Sequence, residues 1–247
     1  MFKAMVLLKR KPGMTLKEFI DYYETRHAPL GVKYQTKMSR YIRRFLHPLP
    51  YPLDGKILEP AYDVLTELHF KDRQTYEEGM QLMLAPEANK VLSEDEKKFL
   101  DLPSSRLVFV EDRESKIPGV QGTPKENVKA IVLLKRRAGM TMDEFVNYYE
   151  NNHAPLGVKY GTGMSRYQRH FLRPAPYPLD GSLHEAEYDV ATEVSFANAE
   201  DAKRAQDAMA APEANKIVSE DETKVFNLVT RRFVSVEDHE SHLPWMH

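Results

Sequence analysis

The stretch KAMVLLKRKPGMTLKEFIDYYETRHAPLGVKY at residues 3–34 returns as KAIVLLKRRAGMTMDEFVNYYENNHAPLGVKY at residues 129–160. The same offset aligns APEANKVLSEDE at 85–96 with APEANKIVSEDE at 211–222. A period this long is unlike the 20–50 residues of solenoid repeats and indicates a duplicated domain. We predict repeats at 1–112 and 128–247, joined by a linker at 113–127 that contains prolines and glycines.

Local patterns predict the order β-α-β-β-α-β within each repeat. AMVLLK is a short apolar run typical of a strand, and Thr15 with Glu18 forms a capping box that starts a helix. Pro29 and Gly31 are expected to end that helix. RYIRRFL, AYDVLTELHF and RLVFVED predict the other strands. This order is typical of the ferredoxin-like fold.

The second predicted helix differs most between the repeats. Residues 71–84 and 197–210 share a polar-apolar character and little identity, which we interpret as an exposed helix. The acidic SEDE segments at 93–96 and 219–222 are expected to begin a further helix rather than to hold calcium.

A β-α-β-β-α-β unit covers only one face of its sheet with helices, so the other face needs a partner. The duplication supplies that partner within the chain. The sequence therefore predicts an α+β fold in which two ferredoxin-like repeats pack sheet to sheet as an intramolecular barrel with a lumen.

Composition excludes several functions. The 247 residues include 35 Lys and Arg against 37 Asp and Glu, and this balance does not favour nucleic-acid or membrane-surface binding. Cysteine is absent, which excludes disulfides and thiolate chemistry. No apolar run approaches a membrane span, and the N-terminus does not have the order of a signal peptide, so we expect a cytoplasmic protein. Glycine-rich nucleotide loops and metal-ligand spacings are also missing, so no cofactor and no metal site is predicted.

The quoted helix, the segment YDVLTELHF and the segment APEANKVLSEDEKKFLD resemble the EthD domain family, a part of the dimeric α+β barrel superfamily. The resemblance implies the barrel fold over both repeats. Related barrels include cofactor-free dehydratases, cyclases and oxygenases that act on aromatic or polyketide compounds, hydroxynitrile lyases, and haem enzymes. The family also carries a histidine at the position of His27, where it is usually implicated in the site.

His27 and His153 are the leading candidates for chemistry. Each lies on the apolar face near the end of the first helix, where the imidazole could act as a general acid or base. The alternative is a histidine that only caps the helix end.

Carboxylates on the third strand are the next candidates. Glu67, Glu193, Asp63 and Asp189 alternate onto the face that should line the lumen, where a wet ligand site would accommodate them. Alternatively, Asp63 lies in solvent at the strand end and Glu67 pairs with an arginine.

Aromatic and arginine side chains recur at equivalent positions and could bind a planar, partly anionic ligand. Ordinary sheet packing with a salt bridge is the alternative for the strand residues. A proline-rich loop at 48–55, repeated at 174–181, could form a pocket lip or an interface. The candidate binding residues are Tyr23, Tyr41, Arg43, Tyr51, Tyr149, Tyr167, Arg169 and Tyr177.

The preferred function is a cofactor-independent lyase or dehydratase acting on an apolar aromatic or polyketide-like molecule. A cyclase, a cofactor-free oxygenase and a non-catalytic binding protein remain alternatives, as does assembly into a homo-oligomer. We favour the second repeat as the principal site, because Leu65 and His69 become the smaller Ala191 and Ser195 and should leave more space.

Overall fold

A computed structural model describes residues 1–177 and 181–246. The first repeat contains β1 (Phe2–Leu8), α1 (Leu16–Tyr22), a π-helical turn (Tyr23–His27), α2 (Ala28–Tyr34), β2 (Arg40–Pro48), β3 (Val64–Phe70), α3 (Arg73–Leu84), α4 (Pro86–Phe99) and β4 (Arg106–Ser115). The second contains β5 (Val128–Leu134), α5 (Met142–Tyr148), a π-helical turn (Tyr149–His153), α6 (Ala154–Tyr160), β6 (Met164–Ala175), β7 (Val190–Phe196), α7 (Ala199–Ala210), α8 (Pro212–Val225) and β8 (Arg232–Glu240).

The eight strands form one closed antiparallel barrel in the order β1-β3-β2-β8-β5-β7-β6-β4, with β4 returning to β1. The repeats join edge to edge, since β2 pairs with β8 and β4 pairs with β6. The predicted α+β barrel of two ferredoxin-like repeats is therefore confirmed. Backbone hydrogen bonds join the repeats along both of these strand pairs, which form the two seams of the barrel.

The first helix of each repeat is longer than its sequence suggests. The capping box of Thr15 and Glu18 is present as predicted. The expectation that Pro29 and Gly31 end the helix is wrong, because the chain passes through the π-helical turn into α2 with helical backbone angles throughout. Pro29 is tolerated in the first turn of α2, where its missing N–H removes little.

The second helical region is split at Ala85, whose extended backbone separates α3 from α4. Pro86 then begins α4. The SEDE segment at 93–96 lies in the last half of α4 and not at a helix start. This corrects the sequence expectation. The longer helix places Asp95 against Tyr22 and His27 of the first helical region.

Side chains fill the barrel interior. Met5, Leu7, Leu65, Ile131 and Leu133 belong to one apolar cluster that includes residues of both repeats. The expected wet lumen is therefore wrong in this region, because alternate strand residues from both repeats meet there and exclude water. Tyr62 and Tyr188 also belong to this interior cluster.

The predicted linker is partly strand. β4 runs to Ser115, and its ladder with β6 pairs Ser115 with Tyr167. Residues 113–115 therefore extend a seam of the barrel, and the irregular connection is shorter than 113–127. Among the described residues, no helix is long and apolar enough to cross a membrane.

Candidate functional site

Two small cavities lie between the helices and the outer face of the sheet, one in each repeat. The first-repeat cavity measures about 90 Å³ and the second-repeat cavity about 100 Å³. An engineered apolar cavity of about 150 Å³ admits benzene, so each cavity has room for a small apolar group. The aligned linings are Tyr23, His27, Gly31, Tyr41, Thr66 and Glu96 in the first repeat, and Tyr149, His153, Gly157, Tyr167, Thr192 and Glu222 in the second.

Each cavity is completed by a loop from the other repeat. Tyr51 follows β2 of the first repeat but lines the second-repeat cavity. Tyr177 follows β6 and lines the first-repeat cavity. Both tyrosines thus lie at a cavity, as the sequence suggested, although at the cavity of the opposite repeat. Residues 178–180 of the predicted loop at 174–181 lie outside the described part of the chain.

Both histidines form a buried pair with an aspartate of the last helix in the same repeat. His27 Nδ1 lies 3.0 Å from Asp95 Oδ2, and His153 Nδ1 lies 2.8 Å from Asp221 Oδ2. The histidines are each 8% exposed and the aspartates 5%, so the pairs are shielded from bulk solvent. The opposite oxygen of Asp95 accepts a hydrogen bond from Tyr22, as that of Asp221 does from Tyr148.

The charge state of the aspartates fixes the histidine tautomer. Burial alone would raise the pKa of Asp95 and of Asp221, but hydrogen bonds from the histidine and the tyrosine outweigh it and lower both pKa values. An ionised carboxylate only accepts hydrogen bonds, so Nδ1 of each histidine must be the donor. When the ring is neutral, its proton is therefore on Nδ1, and Nε2 is the unprotonated nitrogen that can act as a base.

A second carboxyl group lines each cavity directly after the aspartate. Burial raises the pKa of Glu96, whose Oε2 is buried without a hydrogen-bond partner in the described part of the chain. Burial also raises the pKa of Glu222, although Tyr51 and Arg231 donate to it and oppose that rise. The residue equivalent to Arg231 is Ser105, so the described part of the first repeat has no matching cation here.

Tyrosines from the first helix and the second strand of each repeat line its cavity. The hydroxyl of Tyr23 lies 2.8 Å from that of Thr66, and the hydroxyl of Tyr149 lies 2.7 Å from that of Thr192. Tyr41 donates weakly to Tyr23 at 3.5 Å. The predicted residues Tyr23, Tyr41, Tyr149 and Tyr167 therefore all lie at a cavity wall.

The predicted arginines do not reach the cavities. Arg43 pairs with Glu24 at 2.5 Å and its guanidinium lies 4.6 Å from the centre of the Tyr41 ring. Arg169 makes the equivalent contacts with Glu150 and Tyr167. The structure thus places both arginines in the packing arrangement that was the alternative to ligand binding.

The predicted strand carboxylates also lie away from the cavities. Glu67 and Glu193 are inside the barrel, where Arg44 pairs with both at 2.6 Å and 2.5 Å. Asp63 pairs with Lys9 and Arg10 at the end of the barrel, and Asp189 pairs equivalently with Lys135 and Arg136. Within residues 1–177 and 181–246, no group of acidic and histidine side chains is arranged to hold a metal ion.

The expected extra space beside Ala191 and Ser195 is not found. Both residues are fully buried on the interior face of β7, which is the face opposite to the cavity. Their smaller volume is absorbed by interior packing, so this reason for favouring the second repeat is wrong.

Sequence reasoning missed Asp95, Glu96, Asp221 and Glu222. The signal was available, because SEDE is identical in both repeats while most of the preceding helix is not. An exposed helix start would have no physical reason to keep these residues through the divergence of the repeats. The predicted helix starts at SEDE, whereas the helix begins at Pro86 and at Pro212. The contact between these acidic residues and the histidines could therefore not be recognised.

The EthD domain model matches residues 11–103 and 137–227, so it covers both repeats and both histidine–aspartate pairs. The chain belongs to the EthD domain family. No curated protein matches the chain in sequence.

Solved structures show similar folds at low sequence identity. An anthrone oxidase-like protein has a TM-score of 0.54 at 12% identity, with 98% of this chain and 93% of that chain covered. A chlorite dismutase from Candidatus Nitrospira defluvii has a TM-score of 0.41 at 9% identity, with 96% and 90% covered. A heme-binding protein from Thermus thermophilus has a TM-score of 0.39 at 10% identity, with 95% and 90% covered.

A haem group does not fit beside His27. A macrocycle ligated by this histidine would have to occupy the first-repeat cavity that the ring lines, and this cavity holds about 90 Å³. Pockets for drug-sized ligands hold roughly 300–1,000 Å³. The packing around His27 therefore suits a small apolar group and not a macrocycle.

Proposed function

We propose that the chain is a cofactor-independent enzyme that moves a proton on an apolar, ring-bearing small molecule, with dehydration as the reaction. The observation that carries the proposal is the buried histidine–aspartate pair at an apolar cavity, built identically in both repeats. An orienting carboxylate is the usual means of fixing a catalytic imidazole in its basic tautomer.

In this mechanism the imidazole is the base. Nε2 of His27 or His153 takes a proton from the carbon next to a ligand carbonyl, and the positive charge that forms on the ring is stabilised by the aspartate. The electrons of the broken C–H bond form a C–C double bond as the bond to a β-hydroxyl breaks. The hydroxide that leaves takes up a proton and departs as water.

The adjacent glutamate suits the role of proton donor. A general acid must hold a proton near neutral pH, and burial raises the pKa of Glu96 and Glu222 while the neighbouring aspartates are held ionised. Two carboxyl groups whose pKa values are driven apart are a recurring arrangement for acid and base roles. The donor is better in the first repeat, where Arg231 has no equivalent.

The proposal is tested with a phenyl-bearing β-hydroxy ketone, whose dehydration gives a conjugated enone with a new ultraviolet absorbance. Wild type should accelerate this reaction. His27→Ala and His153→Ala should each remove the contribution of one repeat, and general base catalysis is typically worth about 10²–10⁴-fold. Unchanged catalysis in the variant that combines His27→Ala with His153→Ala would overturn the proposal.

Glu193→Gln provides a control inside the barrel. It removes a buried carboxylate that does not line a cavity, so folded Glu193→Gln should keep the wild-type KM and kcat. Retained ligand binding without turnover in wild type would favour the non-catalytic binding alternative. Oxygen consumption that accompanies turnover would favour the oxygenase alternative.

A further inference from the structure

An apolar groove adjoins the second-repeat cavity. It lies between α7 and the outer face of β5, β7 and β8, and it measures about 460 Å³. The groove and the cavity share the side chains or backbone of Pro52, Val132, Gly161, Met164, Val194 and Met209. Because six residues line both spaces, the groove lies directly beside the cavity that contains His153.

The equivalent region of the first repeat is occupied by aromatic rings. Tyr76 packs against Phe2, Phe70 and Phe109 with ring centres 5.1 to 5.4 Å apart. Gln35 adds a fully buried side chain against Gly79.

Four substitutions between the repeats remove volume at the groove, while Leu107 and Gly79 are replaced there by the larger Phe233 and Ala205. The positions of Phe2, Gln35, Tyr76 and Phe109 carry Val128, Gly161, Ala202 and Ser235 in the second repeat. Each of these four changes removes volume, and all four second-repeat residues line the groove. Other groove residues, such as Phe196, Met164 and Met209, keep the same identity as their first-repeat equivalents.

The charges at the groove are already paired within the protein. Lys129 contacts Glu126 and Asp238 at 3.2 and 3.1 Å, and Lys203 contacts Asp207 at 2.7 Å. A charged ligand group would have to compete with these carboxylates. The aromatic and thioether side chains that remain favour flat, polarizable ring systems.

We infer that the two repeats differ in ligand size, and that only the second repeat accepts an uncharged molecule of more than one ring. Val128, Gly161, Ala202 and Ser235 determine this specificity. The inference rests on the proposed function, because it places the reacting end of that molecule beside His153. The first repeat, closed by its aromatic cluster, accepts single-ring or smaller groups.

The test measures binding of the neutral fluorescent probe phenylnaphthylamine to the full chain. Wild type should bind one probe per chain. Ala202→Tyr/Ser235→Phe, which installs the first-repeat residues, should weaken binding at least tenfold. The reciprocal change Tyr76→Ala/Phe109→Ser should raise the stoichiometry towards two. Circular dichroism and thermal melting check folding, and Val128→Phe offers a milder block if the double variant does not fold.

The same variants separate this inference from the proposed function. Wild-type probe affinity in the folded groove variants would overturn the inference, even if His153→Ala loses dehydration of the single-ring ketone. Persistent dehydration in the double histidine variant would overturn the proposed function, even if the groove variants lose the probe. If the groove is instead an interface between two copies of the chain, Ala202→Tyr/Ser235→Phe should sediment as a smaller species than wild type. That result would also overturn the inference.

Discussion

At the scale of single residues, the site depends on a contact between a histidine and an aspartate that lie 68 positions apart in the sequence of each repeat. The histidine ring lines an apolar cavity, and the aspartate fixes which nitrogen of the neutral ring carries the proton. A buried imidazole without this acceptor would have no fixed tautomer. The identical geometry in both repeats indicates that the pair was already present before the duplication.

Asp221→Asn and Asp95→Asn should lower turnover by about 10²-fold or more, since the imidazolium loses its counter-charge and the tautomer is no longer fixed. The substitutions should also reduce stability at neutral pH by about 1.5–3 kcal/mol, the range for hydrogen bonds to charged groups. The measurements are steady-state kinetics and chemical denaturation.

The sign of the pH dependence follows from the lowered pKa values of both aspartates. Their contribution to stability is present above the unfolded-state pKa of about 3.9 and is lost as pH falls through the folded-state pKa. The asparagine variants should therefore approach wild-type stability at low pH. A stability difference that persists unchanged in acid would contradict this explanation.

At the scale of elements, close packing between the first helix and the sheet shapes each cavity. A Cβ atom added to Gly157 would lie 2.8 Å from the hydroxyl of Tyr167, and one added to Gly31 would lie 3.1 Å from the ring of Tyr41. Glycine is needed at these positions because the tyrosine ring lies directly against the helix backbone.

Gly157→Ala should destabilise the protein by about 1–3 kcal/mol, the usual cost of overpacking, and Gly31→Ala should cost less. For a chain of this length each kcal/mol lowers Tm by about 2–4 °C. Thermal melting of the two variants provides a matched comparison. A larger loss for Gly31→Ala would contradict the packing that the structure shows.

Elements with strong local signals could be predicted from the sequence. The internal repeat, the capping box and the strand alternation led to the correct barrel. The continuation of the first helix through His27 could not be predicted, because Pro29 commonly ends a helix and only tertiary packing shows that it lies in the first turn of α2.

Half of the candidate site could also be predicted. The histidines and the four tyrosines of the helices and strands were identified, since apolar spacing placed them on buried faces. The carboxylates were assigned to Glu67 and Glu193 instead of Asp95 and Asp221. Strand alternation shows which residues share a face but not whether the face encloses water, and here arginine and apolar side chains fill the interior.

At the scale of the whole molecule, ion pairs inside the barrel connect the repeats. Arg44 of β2 contacts Glu67 of its own repeat and Glu193 of the other. Burial would raise the pKa of Glu193, but His170, whose Nε2 lies 3.9 Å away, and Arg44, paired with it at 2.5 Å, outweigh burial and lower the pKa to about 2. The interior network therefore contributes to holding the two halves together.

Glu193→Gln should destabilise the fold by about 3–5 kcal/mol, because it removes one partner of a buried charge cluster. Glu240→Gln, which breaks the exposed pair with Arg40, should cost under about 1 kcal/mol. In wild type the Glu193 contribution is present above its unfolded pKa near 4.5 and is lost as pH falls towards 2. Denaturation at neutral and acidic pH tests both effects, and equal losses for the two variants would contradict them.

The central claim is that the histidine–aspartate pairs move a proton on an apolar ligand. The most direct measurement is the exchange of the acidic carbon-bound hydrogens of phenylacetone in deuterium oxide, followed by nuclear magnetic resonance. It requires only proton abstraction and no leaving group. Wild type should exchange these hydrogens faster than buffer, and His27→Ala/His153→Ala should lose that acceleration while remaining folded. Exchange in the folded double variant at the wild-type rate would contradict the claim.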